Sequence, residues 1–345
     1  MMDQTHIGYT GWNQPPVNVM PDVMDAPTVT GARLGVYGEG SAEAATTPHR
    51  IDLPAFDNVN RQVRTFELAP LWSGPVAYTV RTSAPWIVVS HAAGTITKDT
   101  AVDISIDWTR IPPSGGAGLV TVTTPGTAEV ALKVQALVVK HPRGHVESGG
   151  VIAIEAMHAT SWHQANQLTW HILRGFGETL GGVEAYPSLA EPTLPPTPQA
   201  CLEYDFTALS AAKRTVEFVL APTLPFDASG RLRFSAALDS APQQVLNVWD
   251  TPGRLAVGSA NDKAWAKAVV DGVRRVEWKA GDVSAGVHNL RVCRVDAGVA
   301  LERMMIYQGA RPMEYLGPAE STVAPRGRRT SAEGGGAQAA PPPLH

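Results

Sequence analysis

The sequence predicts an all-β chain made of two β-sandwich domains with one short helix, and three observations carry that reading. Apolar and polar residues alternate in short runs, as in Arg64-Thr-Phe-Glu-Leu68, Val76-Ala-Tyr-Thr-Val80 and Val102-Asp-Ile-Ser-Ile106. Such period-2 patterns bury one face of a strand and leave the other wet. Turn residues are abundant, with 28 prolines and 32 glycines in 345 residues. Helical spacing is confined to one stretch, residues 261–272.

Taken in order, residues 1–58 carry little periodicity and are broken by Gly8, Gly11, Pro15, Pro16, Pro21 and Pro27. This lead holds Tyr9, Trp12 and Met20 as apolar anchors for a neighbouring body and reads as the remnant of a preceding helical or linker region. Residues 60–140 hold six or seven short strands separated by turns such as Ser73-Gly-Pro75 and Pro125-Gly126, the spacing of an immunoglobulin-like sandwich. His141 to Gly150 is polar, with one proline and three glycines, and reads as an inter-domain linker. Residues 150–321 form a second strand-rich unit, with strong runs at 202–207, 215–220, 232–238, 287–295 and 299–307. The helix interrupts it. Asn261 suits the N-cap, Asp262 the positive end of the dipole, Trp265 and Val269 lie four apart, and Gly272 can end it. Residues 322–345 are rich in Gly, Pro and Arg, have almost nothing to bury, and are expected to be disordered.

The composition excludes several functions. The net charge is −4, with 28 basic and 32 acidic residues well mixed, so no basic face for nucleic acid is expected. No uninterrupted apolar run is long enough to span a bilayer, so no membrane partner is expected. The start lacks a basic and then apolar leader, so no signal peptide is visible and the compartment is left open. Cys201 and Cys293 each sit in a strand-like run. One bridge between them is the alternative, and buried free thiols are the expectation. No phosphate-binding loop, nucleophile elbow, His-Glu-x-x-His or Cys-x-x-Cys motif is present. Asp103, Asp107, Glu203 and Asp205 alternate with apolar residues and read as solvated strand faces, so no catalytic carboxylate pair stands out. His158, His163 and His171 are spaced by five and eight, which suits neither a helical nor a strand metal site, and His6 stands alone.

Aromatic residues carry the remaining signal, because an exposed ring can stack on the C–H face of a sugar. Trp170, Tyr186 and Trp249 are the glycan-binding candidates. Trp170 precedes Gly175 and Gly177, Tyr186 precedes Pro187 and a Pro-rich loop, and Trp249 enters the turn Asp250-Thr-Pro-Gly253. Trp86, Trp108, Trp265 and Trp278 are expected in cores or interfaces.

Three stretches together resemble one family. Met1 to Pro16 followed by Asn18-Val-Met-Pro21 resembles the segment after the catalytic and helical parts of glycoside hydrolase family 115. Ile154-Glu-Ala-Met-His-Ala-Thr160, Trp170 and Gly175-Phe-Gly-Glu-Thr179 resemble the opening of its C-terminal domain. Asp296 to Ile306 and Tyr315-Leu-Gly-Pro-Ala-Glu-Ser321 resemble its closing strands. The resemblance implies a non-catalytic C-terminal part of a xylan α-glucuronidase. The family's catalytic barrel lies N-terminal to all of these stretches, so no catalytic residue is carried over. It implies xylan or another plant polysaccharide, the enzyme's catalytic part, or a second copy of the chain as partners. Family members are often exported. A free-standing carbohydrate-binding protein and an adhesive tandem-sandwich protein are the alternatives, and the irregular lead distinguishes them from the first reading. The second domain also resembles carbohydrate-binding modules of types 6 and 35, which are jelly rolls whose two ends hold a structural calcium. That resemblance implies a weak calcium site at Glu155 and Asp296, weakened because Met157 stands where a second acid is expected.

Overall fold

The structure, a computed structural model, describes residues 34–324 except 40, 42–43, 46–48, 72–73, 126–128, 226–229, 250–259 and 313–315. The expectations for His6, Tyr9, Trp12 and Met20, for the tail beyond 324, and for the Asn261 side chain lie outside the described residues.

The first sandwich comprises β1 (Leu34–Tyr37), β2 (His49–Asp52), β3 (Phe56–Asp57), β4 (Arg64–Pro70), β5 (Val76–Thr82), β6 (Ile87–Val89), β7 (Ala93–Ile96), β8 (Thr100–Ile106), β9 (Gly116–Thr123) and β10 (Val130–Leu137). One sheet runs β1-β4-β8-β6 and the other β2-β10-β9-β5-β7, with β3 also on β10. The alternation seen in the sequence sends Phe66, Leu68, Val102, Ile104, Val120, Leu132 and Val134 into one dry core. Each such side chain contributes about 1.5–3 kcal/mol on burial. The lead is less irregular than its composition suggests, because β1 pairs with β4 and both β2 and β3 run parallel to β10. Residues 34–57 therefore belong to this sandwich. Their strands are two to four residues long, too short for a period to show.

The second sandwich comprises β11 (His145–Val146), β12 (Val151–Glu155), β13 (Ser161–His163), β14 (Thr169–Arg174), β15 (Gly181–Tyr186), β16 (Cys201–Ala208), β17 (Ala212–Leu220), β18 (Arg233–Leu238), β19 (Gln244–Asn247), α1 (Ala260–Asp271), β20 (Arg274–Val283), β21 (Gly286–Arg294) and β22 (Leu301–Gln308). One sheet runs β11-β16-β21-β18-β19 with β13 on β16, and the other β14-β15-β22-β17-β20 with β12 on β22. Between them lie Leu202, Tyr204, Phe206, Phe218, Phe234, Leu290, Met304 and Ile306.

Four expectations are corrected here. The 141–150 stretch is not a free linker. His145 and Val146 form β11 beside β16, and Glu147 is buried against Arg214 (Oε2–Nη2 2.7 Å). Polar composition suggested solvent, but each of these polar side chains has a buried partner. Residues 322–324 are also ordered: Val323 bridges to His145, and Ala324 N–H donates to the Gly144 carbonyl (2.8 Å). Helix α1 lies where expected, yet Val269 is exposed, and Ala264, Trp265 and Ala268 form the inward face. Last, Cys201 and Cys293 are disulfide-bonded, not free. They stand directly opposite each other on β16 and β21, a register that strand-like flanks cannot reveal. The bond lies on the strand face opposite Leu202 and Tyr204, and Gln243 Nε2 donates to Cys293 Sγ (2.9 Å).

The bridge closes a loop of sequence separation 92. In the chain-entropy account, cross-linking a loop of that size disfavours the unfolded state by about 4–5 kcal/mol. Denatured, unreduced protein is therefore expected to show no titratable thiol. The Cys201→Ser/Cys293→Ser variant is expected to lose several kcal/mol in urea melts. Two free thiols in the oxidised wild-type protein would contradict the pairing.

Candidate functional site

The three aromatic candidates do not converge. Trp249 is 5 % exposed and belongs to the core. Its Nε1 donates to the Thr223 carbonyl (3.0 Å), and the Arg274 guanidinium lies 5.0 Å from its ring centre. It is a packing residue and not a rim residue. Trp170 and Tyr186 sit on adjacent strands, β14 and β15, but on opposite faces. Trp170 pairs with Ala185 and Ile172 with Val183, and this face packs on the core. Thr169 pairs with Tyr186 and His171 with Glu184, and this face looks outward. The His171 and Tyr186 rings meet edge to face at 5.0 Å. Tyr186 Oη donates to Glu184 Oε2 (3.2 Å), and Thr169 Oγ1 lies 3.1 Å from His171 Nε2. Burial pushes the Tyr186 hydroxyl above its ordinary value, and the neighbouring Glu184 carboxylate adds to this. The phenol thus stays protonated and keeps its hydrogen bond. Because β14 is an edge strand, this half-open aromatic pair stands at the margin of its sheet. The sequence search found Tyr186 but missed His171, Glu184 and Thr169, which only the pairing register brings beside it.

The loop after Tyr186 is held firmly. Buried Arg294 donates to the carbonyls of Ala190 and Glu191, and Gln199 Nε2 donates to those of Thr193 (2.7 Å) and Arg294 (3.1 Å). Burial lowers the Arg294 pKa, and nearby Asp296 and Glu191 oppose that shift. A groove of about 300 Å³ runs between this loop and the turn at Asn166 and Leu168.

The proposed calcium ligands are likewise apart and occupied. Asp296 accepts a two-pronged bond from Arg233 (Nε–Oδ2 2.7 Å, Nη2–Oδ1 3.0 Å). Glu155 accepts from the Thr179 hydroxyl (2.7 Å), and its other oxygen faces Arg303 Nε (3.6 Å). These residues do not fit a shared calcium, because each carboxylate is already neutralised by a guanidinium. No group of three or more His, Cys, Asp or Glu that could hold a metal ion occurs among the described residues. His158, His163 and His171 face Glu320, Glu203 and Tyr186 respectively.

Two further polar clusters went unnoticed in the sequence. Ser284, His288 and Asp239 have the composition of a hydrolytic triad. His288 Nδ1 is 2.8 Å from Asp239 Oδ2, but Nε2 is 2.9 Å from the Ser284 carbonyl and 3.5 Å from its hydroxyl. A carbonyl only accepts, so Nε2 is a donor there and not a base. The ring, stacked on Phe206 at 5.4 Å, clips the turn by which the chain crosses from β20 in one sheet to β21 in the other. The second cluster centres on Glu320. His145 Nε2 (3.0 Å), His158 Nδ1 (2.9 Å) and the Glu155 N–H (3.1 Å) all meet its carboxylate. Burial alone would raise this carboxyl, and the hydrogen bonds outweigh it and hold the pKa at about 2.

The fold defines a class: an all-β protein built of β-sandwiches. The sequence profile of the glycosyl hydrolase family 115 C-terminal domain matches residues 144–320, over half of the chain. The chain therefore belongs to glycosyl hydrolase family 115. Among solved structures it is similar to a family 115 4-O-methyl-α-glucuronidase with specificity for decorated arabinogalactans (21 % identity, TM-score 0.33), covering 46 % of this chain and 17 % of that one. It is similar to a family 35 carbohydrate-binding module from Cellvibrio japonicus (11 % identity, TM-score 0.28, 46 % of this chain and 94 % of that one). It is also similar to the C-terminal family 6 module of a marine laminarinase from Zobellia galactanivorans (17 % identity, TM-score 0.27, 46 % and 99 %). At these scores the overlays stand as likenesses only, and the assignment rests on the sequence profile. No curated protein matches the chain.

Two outcomes follow for the buried acids. Glu320 has a folded pKa of about 2 against an ordinary 4.5, so its stabilisation is complete above the unfolded value and is lost as pH falls towards 2. Glu320→Gln is expected to cost about 2 kcal/mol at neutral pH. The gap to wild type should narrow between pH 4.5 and 2 in acid-unfolding curves. Glu302 behaves oppositely. Burial raises its pKa, as do the nearby Glu178 and Glu155 carboxylates, and the Glu178 N–H only partly offsets them. Ionised Glu302 thus costs stability as pH rises through its raised value, and Glu302→Gln should melt no lower than wild type at pH 8. A markedly lower melting temperature for Glu302→Gln would show that its charge is needed.

Proposed function

We propose that this chain is the accessory C-terminal portion of a family 115 α-glucuronidase that debranches glucuronoxylan, and that it contacts the glycan through the outward face of β14 and β15. One observation carries this reading: Tyr186 and His171 form a half-open aromatic pair at a sheet margin, flanked by Glu184 and Thr169 as hydrogen-bonding groups. A ring oriented by a fixed hydroxyl offers its face to sugar C–H groups at little entropic cost, and a carboxylate and a hydroxyl beside it suit sugar hydroxyls. Glu184 also makes the site acidic, so neutral xylosyl units are favoured over an appended uronate. The remaining partners, the enzyme's catalytic body or a second copy, would be met by other surfaces.

Stacking on one aromatic contributes on the order of 1–3 kcal/mol by analogy with nucleic-acid bases, so a single site should bind in the roughly millimolar range. Titration with xylohexaose is expected to saturate, and Tyr186→Ala to weaken binding about tenfold with the circular dichroism spectrum unchanged. The purified chain is expected to release no glucuronic acid from glucuronoxylan. Equal binding by wild type and Tyr186→Ala would remove the site from β14–β15, and turnover abolished by mutating a carboxylate of this chain would make the chain an enzyme.

A further inference from the structure

The outward side of β22 carries Arg303 at a position that is 4 % exposed. A buried guanidinium is costly unless oxygen acceptors surround it. Here two backbone carbonyls accept hydrogen bonds from it and one carboxylate stands within ion-pair distance. Nε faces Glu155 Oε1 (3.6 Å), and the two η nitrogens donate to the backbone carbonyls of Leu316 and Pro318. One carboxylate and two carbonyls from a returning loop are a hard-oxygen set of the kind that holds a calcium ion. Around it the same logic repeats. Arg275 Nη2 donates to Glu178 Oε2 (3.3 Å), and Arg311 makes a two-pronged bond to Glu217 (2.7 and 3.1 Å). On the other sheet, Arg233 takes both oxygens of Asp296.

We infer that arginine side chains serve as the built-in cations of the second sandwich, with Arg303 in place of the structural calcium that the fold's resemblances imply, so that the domain folds and works without a metal ion. Two features support this beyond the occupied carboxylates. Met157, where a second acid would be needed, packs on the apolar core. The carbonyls that Arg303 binds belong to the segment 316–324, which also delivers Glu320 to His145 and His158 and pairs with β11. Arg303 thus does the structural task of a bridging ion by joining the end strand β22, the opening strand β12 and the closing segment at one point. A guanidinium differs from a metal in being covalently fixed and always charged, so this latch has no dissociation constant and does not depend on the supply of calcium.

The test uses the full chain. Melting curves are recorded after dialysis against EDTA and again with millimolar calcium chloride, and bound metal is counted by plasma mass spectrometry after gel filtration. The expected result is one melting temperature in both conditions and no stoichiometric metal. Arg303→Met is expected to lower the melting temperature by about 10 °C or more. Arg303→Lys, which keeps the charge but loses the fork, is expected to fall between the two. Should Arg303→Met fail to fold, the wild-type comparison decides alone. A wild-type melting temperature that falls in EDTA and is restored by calcium would overturn the inference, as would one equivalent of tightly held metal. An Arg303→Met protein as stable as wild type would also overturn it.

Discussion

Burial of charge on the outward side of β22 is the constraint around which the second sandwich is arranged. Glu302, Arg303 and Tyr307 are all nearly inaccessible, although the core lies on the other side of the strand. Water cannot satisfy them, so protein must. Arg303 recruits the carbonyls of Leu316 and Pro318, Arg311 reaches Glu217, and Tyr307 donates to Glu277 (3.1 Å). Tyr307 is consequently raised to about 12, chiefly by burial and then by the Glu277 carboxylate. The segment after β22 is pulled across its own strand, and Gly317 is what lets it come so close: it adopts φ 72°, and a Cβ there would lie 2.9 Å from Met305 Sδ. The same segment then continues to Glu320 and the bridge to His145, where it extends the opposite sheet. One short stretch therefore covers one sheet and borders the other.

The junction between the sandwiches is likewise built from buried polar groups held by one another. Asp57 is fully buried and organises residues 57–62: it accepts from the N–H groups of Val59 and Asn60 and from the amides of Asn60 and Gln62. Those two amides then reach across, Asn60 to the Glu147 carbonyl (2.9 Å) and Gln62 to the Ser148 hydroxyl (3.1 Å). Glu147 is itself locked to Arg214, whose Nη2 also donates to the Ser210 carbonyl (2.8 Å). Two amide hydrogen bonds thus link the first sandwich to the segment that carries Glu147. Removing the Glu147 carboxylate would strand the buried Arg214 guanidinium.

Much of the fold was legible because alternation reports burial directly. Runs such as Val102 to Ile106 and Leu202 to Phe206 could hardly be anything but half-buried strands, and the family signature lay in contiguous residues. What stayed hidden depends on register or on partners far away in sequence. Cys201 and Cys293 look like any buried thiols until β16 and β21 are aligned. Trp249 looked like a rim residue because the turn signature Asp250-Thr-Pro-Gly253 follows it in sequence, yet such a signature says nothing about where the preceding ring packs. Arg303 and Glu320 drew no attention as single residues, since no local pattern marks a charge whose partners are supplied by a distant segment. His171 was set aside as a failed metal ligand, and its significance lies in Tyr186, fifteen positions on and adjacent across β14 and β15.

These buried networks also narrow where the second sandwich can meet a glycan. The outward side of β22 at Arg303 is covered by its own closing segment. The outward side of β16 and β21 carries the disulfide and a ladder of paired polar side chains, Glu203 with Arg291 (3.4 Å) and Asp205 with Asn289 (2.9 Å). The apolar sides face each other. What is left is margin: the edge strand β14, its partner β15, and the loop that Arg294 and Gln199 hold in place. A binding face needs groups that are fixed in position but not fully satisfied. Tyr186, His171 and Glu184 meet that condition, since each is held by a neighbour and none is buried. The rigidity spent on burying arginines elsewhere keeps that margin in shape, and so the networks of the interior and the small open pair at the edge are parts of one design.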